Sequence, residues 1–384
     1  MGSHVWHWIS RIRRRAMPAA LTLMTGLMLP AQAQTFTVLY NFTGADGANP
    51  SAVLIRDRAG NLYGTTEAGG ASGLGTVFKL DRSGKETVLH SFGGNDGANP
   101  YTGLVSDAAG ILYGTTEAGG ASGMGTVFKL DKRGKETVLY SFAGSDGANP
   151  YAVLIRDKTG NFYGTTWGGG ASGLGTVFKL DRTDKETVLH SFGGNDGANP
   201  YTGLVSDAAG NLYGTTYGGG ASRQGAVFKL NKTAKETVLY SFQSGTDGGG
   251  PAYGSLIRDN AGALYGTTLG GGASGSGTVW KLDRTGKETV LHNFSGTDGA
   301  IPLAGLIRDN AGNVYSTTYR GGNSGQGTVF KLDKTGKETV LHNFGGADGG
   351  NPSAGFVRDA AGNIYGTTLW GGTSGLGTVF KLTP

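Results

Sequence analysis

The chain has 384 residues, with 33 Lys and Arg against 28 Asp and Glu, 74 glycines and no cysteine. Four arginines, Arg11, Arg13, Arg14 and Arg15, belong to a leader-like N-terminus. The remainder therefore carries 29 cations against 28 anions, and this near-neutrality argues against a nucleic-acid partner, which needs a concentrated basic face. Without cysteine there is no disulfide framework and no thiol chemistry, so the fold has to be held by a packed core.

Residues 1–33 read as a secretory signal peptide. The arginines are followed by the apolar run Met17 to Leu29 and by Ala31-Gln32-Ala33, a small-residue cleavage site before Gln34. The run is short for a membrane-spanning helix, although an uncleaved anchor is the alternative. The arginine triplet does not continue into a twin-arginine pattern, so ordinary export is expected. The mature protein is expected to be secreted or periplasmic, with no membrane span after cleavage.

Seven repeats follow in residues 34–384. Their marker tyrosines are Tyr63, Tyr113, Tyr163, Tyr213, Tyr265, Tyr315 and Tyr365, spaced by 50 residues except for one step of 52. Each repeat holds four short apolar segments bounded by Gly, Asp, Asn or Pro. In the second copy these are Glu86 to Phe92, Tyr101 to Val105, Ile111 to Thr116 and Gly125 to Leu130. Four strands per unit and seven units predict an all-β, seven-bladed β-propeller with four antiparallel strands per blade. The mature chain opens with Thr37 to Phe42, the equivalent of the segment around His90, and stops at Phe380-Lys381-Leu382, the equivalent of Phe128 to Leu130. The N-terminal strand is therefore expected to complete the last blade. An open solenoid would need polar caps, and none is visible.

Two connections per repeat are short, such as Asp107 to Gly110 and Asp131 to Lys135, and read as side-chain-capped turns. Two are long and by alternation share the opposite face. One contains Asp96-Gly97-Ala98-Asn99-Pro100; the other is the glycine loop Gly119-Gly120-Ala121-Ser122-Gly123. Loops on a rigid scaffold are the usual seat of binding residues, which makes the long-loop face the candidate surface. No cofactor is expected. Calcium is a weak possibility, because each Asp-Gly loop offers a single carboxylate where a dedicated site gathers six to eight oxygens, and no metal ligands are assigned. Phosphate cradling lacks both a following Lys and a helix.

The motifs Asp-x-x-Gly-Asn-x-Tyr-Gly-Thr-Thr, Gly-Gly-x-Ser-Gly-x-Gly and Gly-Thr-Val-Phe-Lys-Leu, recurring over residues 35 to 384, resemble the bacterial GloVer repeat (Gloeobacter and Verrucomicrobia type) of exported proteins. The resemblance implies export and often a C-terminal sorting anchor, but no agreed activity and no catalytic residues. An ending at Pro384 directly after the last strand departs from the anchored pattern, and a soluble monomer is expected. The tyrosine hairpin is also faintly similar to NHL and Kelch-like propellers.

Functional information is concentrated where the copies differ. Residues 85 to 116 and 185 to 216 agree except at Ile111 and Asn211, which suits repeated binding sites. The variation clusters after the Thr-Thr pair: Glu67, Glu117, Trp167, Tyr217, Leu269, Tyr319 with Arg320, and Leu369 with Trp370. Trp167, Tyr217, Tyr319, Arg320 and Trp370 are the candidate ligand-binding residues, stacking on sugar rings or serving as protein hot spots, with plugging of the central opening as the alternative. Trp280 stands where other copies have Phe and is assigned to the core. The position shared by Tyr40, His90, Tyr140, His190, Tyr240, His292 and His342 accepts both His and Tyr, which argues for packing rather than metal ligation.

Catalytic motifs are missing: there is no Gly-x-Ser-x-Gly elbow and no His-Glu-x-x-His. Glu67 and Glu117, in adjacent blades, are the remaining candidate acid–base pair. The expected function is an exported, noncatalytic binding propeller for a polysaccharide, a cell-surface glycan or another protein. The alternative is a propeller-type polysaccharide lyase or glycoside hydrolase.

Overall fold

The computed structural model describes residues 34–251 and 253–383. The signal-peptide assignment lies outside the described residues. Seven four-stranded antiparallel sheets form the blades of a propeller, as the repeat pattern predicts. In the first blade, from the axis outward, the strands are Ile55–Arg56, Leu62–Thr66, Thr76–Leu80 and Glu86–Ser91. Thr76, Val77, Phe78 and Leu80 of the third strand are buried and only Lys79 is half-buried, the near-continuous burial of a strand packed on both faces. The Phe78 ring rests against Gly64 of the neighbouring strand, where an added Cβ would come within 2.8 Å of that ring. The phenylalanine after each outer strand meets the core ring of the next blade edge to face, Phe42 on Phe78 at 5.1 Å and Phe92 on Phe128 at 5.2 Å.

The closing blade is composite. Strand Thr35–Asn41 pairs antiparallel with Thr378–Thr383 and becomes the outermost strand beside Ile364–Thr368 and Val357–Arg358. The N-terminal strand therefore fastens the ring, as its phase in the repeat implies.

One expectation fails near the axis. Tyr101 to Val105 is not a strand throughout; only Val105–Ser106 is. The blades converge there, and the backbone is satisfied across blades by hydroxyls instead of a ladder. Thr65 Oγ1 donates to the Thr102 carbonyl at 3.0 Å, and Ser51 Oγ donates to the Tyr101 carbonyl at 3.3 Å. A Cβ at Gly103 would lie 2.9 Å from the Val53 carbonyl oxygen, so glycine permits the approach.

At the rim, the position shared by His and Tyr has a role beyond the expected packing. His90 packs edge to face on Phe92 at 4.8 Å, and its Nε2 meets Asp96 Oδ2 at 2.8 Å. Tyr240 reaches Asp247 with its hydroxyl at 2.9 Å. Either donor reaches the loop carboxylate, which is why the two residue types interchange. Asp96 Oδ1 in turn accepts the Gly93 N–H at 2.8 Å, so the aspartate caps the turn of the Asp-Gly loop.

Across each of six junctions a glutamate from the next outer strand faces this aspartate: Glu86, Glu136, Glu186, Glu236, Glu288 and Glu338. In all six the Oε1 atom is buried without a hydrogen-bond partner. Burial, then the charge of the facing aspartate, pushes each carboxyl up to about 7. At the seventh junction Phe36 takes the glutamate's place and stacks on His342 at 3.7 Å. Burial there lowers the imidazole pKa despite Asp348.

These shifts set a pH dependence. A carboxyl raised above its unfolded value of about 4.3 contributes stability below that value and loses it as pH rises through the folded pKa. Asp157 behaves oppositely. Against partial burial, hydrogen bonds from Asn161 and Thr159 hold it down at about 2, so its contribution is lost as pH falls toward that value. The melting temperature is expected to be highest near pH 4 and to fall as pH rises from there to about 7. Melts at stepped pH check this, and a melting temperature that climbs steadily from about pH 5 to 8 contradicts it.

Candidate functional site

The long connections share one face, as expected, and are stitched to each other. The Ala98 N–H donates to the Ala118 carbonyl at 2.7 Å and the Ala118 N–H returns the bond at 3.1 Å. Gly69 adopts φ +77°, and a Cβ there would lie 2.5 Å from the Gly44 carbonyl oxygen, so the glycine loop closes onto the Asp-Gly loop only with glycine.

The variable residue after each Thr-Thr pair is held on both sides. The Trp167 N–H donates to the Asn149 carbonyl at 3.0 Å, and its own carbonyl accepts Asn199 Nδ2 from the next blade at 2.9 Å. Glu67 and Glu117 are fixed in the same way, their carbonyls accepting Asn99 Nδ2 at 3.0 Å and Asn149 Nδ2 at 3.1 Å. Variation is thus confined to side chains on a rigid frame.

These side chains surround a cluster the sequence reading did not single out. The residue after the loop proline is Tyr101, Tyr151 and Tyr201 in blades two to four, and Tyr253 follows one residue later in blade five. Their rings form a connected group, with Tyr101–Tyr151 at 5.3 Å, Tyr151–Tyr201 at 4.5 Å and Tyr201–Tyr253 at 4.2 Å. Tyr253 also meets Tyr101 at 6.0 Å, which closes the group on itself. The two extra residues of the 52-residue step lie in the fifth loop, where Tyr253 adopts φ 60°. In the other blades Ser51, Leu303 and Ser353 occupy the position, so the aromatic group is one-sided. Beneath it a cavity of about 280 Å³ follows the axis, lined by Val53, Ile55, Leu104 and Val153.

The structure brings some candidate residues together and separates others. Trp167 touches Tyr201 at 5.4 Å and Tyr217 at 6.4 Å, extending the aromatic group outward. Tyr217 is 41% exposed. Tyr319 and Arg320 pair with each other at 5.9 Å, and Trp370 is 44% exposed with no ring contact among the described residues. They belong to blades six and seven, on the other side of the face. Trp280 is fully buried, as assigned.

Glu67 and Glu117 sit beside the tyrosines. The Tyr151 hydroxyl donates to Glu117 Oε1. Burial and the charge of Glu117 raise the Glu67 pKa. Burial, and then the facing carboxylate, holds Tyr151 well above the ordinary phenol range; Tyr101 is raised by burial, then Tyr253 and Glu67, so both phenols stay neutral donors. The variable position flanking an invariant proline was the available signal for the tyrosines, since the same logic had singled out Trp167 and Tyr217.

One His, Asp and Glu group among the described residues could hold a metal ion: His90, Asp96 and Glu136, at the rim. Of the six equivalent junctions three keep the histidine, at His190, His292 and His342, and three carry Tyr40, Tyr140 or Tyr240, so the repeat asks this position for a hydrogen-bond donor.

The structure is similar to virginiamycin B lyase from Staphylococcus aureus, at 13% identity and a TM-score of 0.60, over 91% of this chain and 99% of that one. It is also similar to the extracellular domain of a protein assigned as a hybrid two component system of B. thetaiotaomicron, at 15% identity and a TM-score of 0.59, over 91% of this chain and 41% of that one. A third similar structure is a Bacteroides uniformis protein designated a 6-phosphogluconolactonase, at 15% identity and a TM-score of 0.51, over 77% of this chain and 84% of that one. At these identities the likeness is one of fold. No curated protein matches the sequence. The repeat motifs lying on the strands and loops above are those of the Gloeobacter/Verrucomicrobia repeat, whose family model matches residues 26–159, 134–311 and 253–384, and the chain belongs to that family.

Proposed function

We propose that the protein is an exported binding propeller that takes a carbohydrate chain on its long-loop face. The observation that carries this reading is the one-sided aromatic surface made of Tyr101, Tyr151, Tyr201 and Tyr253, continued by Trp167 and the exposed Tyr217. Aromatic faces stack on sugar rings, and neutral phenols and carboxylates supply the hydrogen bonds that orient them. Tyr319, Arg320 and Trp370 form a second, separate contact region on the same face. An extracellular sensor domain among the structurally similar proteins supports a location outside the cytoplasm by analogy of fold alone.

The second reading is catalytic and rests on Glu67 and Glu117. One carboxyl with a raised pKa next to one that accepts a hydrogen bond is the pattern of an acid paired with a base or nucleophile. A screen of polysaccharides against the protein, with chain cleavage followed in parallel, separates the readings. Binding without cleavage supports the module; cleavage that disappears in Glu67→Gln supports the enzyme; capture of a protein with no glycan bound overturns both.

Within the binding reading, Trp167→Ala is expected to weaken glycan affinity by about 2 kcal/mol, the scale of an aromatic hot spot. Trp370→Ala, remote from the tyrosines, is expected to change it less. Titration calorimetry on the two variants checks the order. If Trp370→Ala proves the more damaging, the binding surface lies on the other side of the face.

A further inference from the structure

The chain is nearly neutral as a whole, but its charge is not evenly placed. Of the 29 Lys and Arg in residues 34–384, all but Arg223 and Arg320 lie on or beside the short turns. The long-loop face holds those two cations against nine carboxylates, the seven loop aspartates with Glu67 and Glu117. The propeller is therefore a disc with a positive face and a negative face.

The carboxylates on the positive side, thirteen turn aspartates and the six rim glutamates, offset only part of its 27 cations and do not pair with them. Among the described residues, every salt bridge joins a rim histidine to a loop aspartate, and none involves Lys or Arg. The turn aspartates are spent on the backbone: Asp81 Oδ1 accepts the Ser83 N–H at 2.8 Å and the Lys85 N–H at 3.0 Å. Asp57 is taken by Asn61 Nδ2 at 2.7 Å and the Tyr63 hydroxyl at 3.1 Å. Cations of the first and third strands are instead braced on aromatic rings, as where Lys281 and Arg308 each lie 5.6 Å from the Tyr265 ring. Two clefts between blades open among these cations. One, of about 880 Å³, is lined by Arg156, Lys158, Lys179 and Lys232; the other, of about 290 Å³, by Lys229, Arg258 and Arg284.

We infer that the short-turn face docks the protein flat on an anionic phospholipid surface, with phosphate headgroups seated among the cations of all seven blades. The partner's chemistry follows from the arrangement. A ring of unpaired cations repeated on every blade meets a planar array of phosphates all at once, whereas one linear polyanion would cross only a few blades. Attachment is electrostatic, because the exposed large apolar side chains among the described residues, Val88, Met124, Tyr217 and Trp370, lie on the rim or the long-loop face. Docking in this sense turns the aromatic long-loop face toward the aqueous phase.

The test is cosedimentation of the chain from Gln34 onward, which holds every strand of the fold and omits the apolar run Met17 to Leu29. The vesicles are phosphatidylcholine alone or equal parts phosphatidylcholine and phosphatidylglycerol. Binding is expected only to the anionic vesicles, and it is expected to disappear at high salt. The triple variant Lys158→Gln, Lys232→Gln, Arg284→Gln, with an unchanged melting temperature, is expected to bind roughly 100-fold more weakly, about fivefold per charge removed. Equal binding to both vesicles, binding that survives high salt, or a folded triple variant that binds like the parent overturns the proposal. So does binding to heparin with none to the anionic vesicles, which would assign the face to an acidic polysaccharide.

Discussion

Deleting Thr35 to Phe42 is expected to abolish the cooperative melt and to leave an aggregating protein. The deleted strand is the outer edge of the seventh blade, paired from Thr35↔Thr383 to Asn41↔Thr378, and without it Thr378–Thr383 becomes an exposed edge. The loss extends to both neighbouring junctions. Phe42 is fully buried against Phe78 of the first blade, and Phe36 covers His342 of the sixth. The Phe42 N–H also donates to the Gly377 carbonyl at 3.1 Å, and Asn41 Oδ1 accepts the Thr373 N–H at 3.0 Å. Phe42→Ala alone is expected to cost about 3–5 kcal/mol through its cavity. That is a large share of the roughly 5–15 kcal/mol that holds a domain folded. Denaturant melts of the point variant and the deletion check the series, and a deletion that unfolds at the parent's midpoint removes the clasp from the account.

Trp280→Ala is expected to destabilise by about 3–5 kcal/mol, while Trp280→Phe stays within about 1.5 kcal/mol of the parent. The indole is fully buried, edge to face with Phe242 at 5.5 Å, and an added Cβ on Gly266 would lie 2.5 Å from Cζ2. Its Nε1 hydrogen has no acceptor among the described residues. A buried donor left unsatisfied costs about 1–3 kcal/mol, so the phenylalanine that the other blades use removes a penalty as it removes volume. Trp370→Ala, at an exposed position, is expected to shift stability by no more than about 0.5 kcal/mol. Urea melts of the three variants order the effects. A Trp280→Phe protein as unstable as Trp280→Ala would show that the indole makes contacts no smaller ring can replace.

The number of blades, the four strands in each, the shared face of the long loops and the strand that closes the ring were all legible in the sequence. Each follows from local chemistry multiplied by seven: β-branched and aromatic segments at period 2, Asp and Gly at turns, and a repeat whose phase is offset by one strand. The same reading assigned Trp280 to the core from its register with Phe78 and Phe128. It placed Glu67 and Glu117 in adjacent blades and Trp167 and Tyr217 on the long-loop face, because those residues vary where their neighbours do not.

Distance through space was not legible, and it decided the rest. The tyrosines of blades two to five meet because strands converge at the axis, where a 50-residue separation in sequence becomes a ring contact of 4.5 Å between Tyr151 and Tyr201. The glutamate that opens each outer strand faces an aspartate from the blade before it, a proximity of about 40 residues in sequence that no motif marks. Net charge, taken over the whole chain, conceals its separation into two faces, since alternation of turns puts nearly every Lys and Arg on one side of the disc. Local propensity specified the blade, and radial closure, which brings equivalent positions of successive blades together, specified what the blades present.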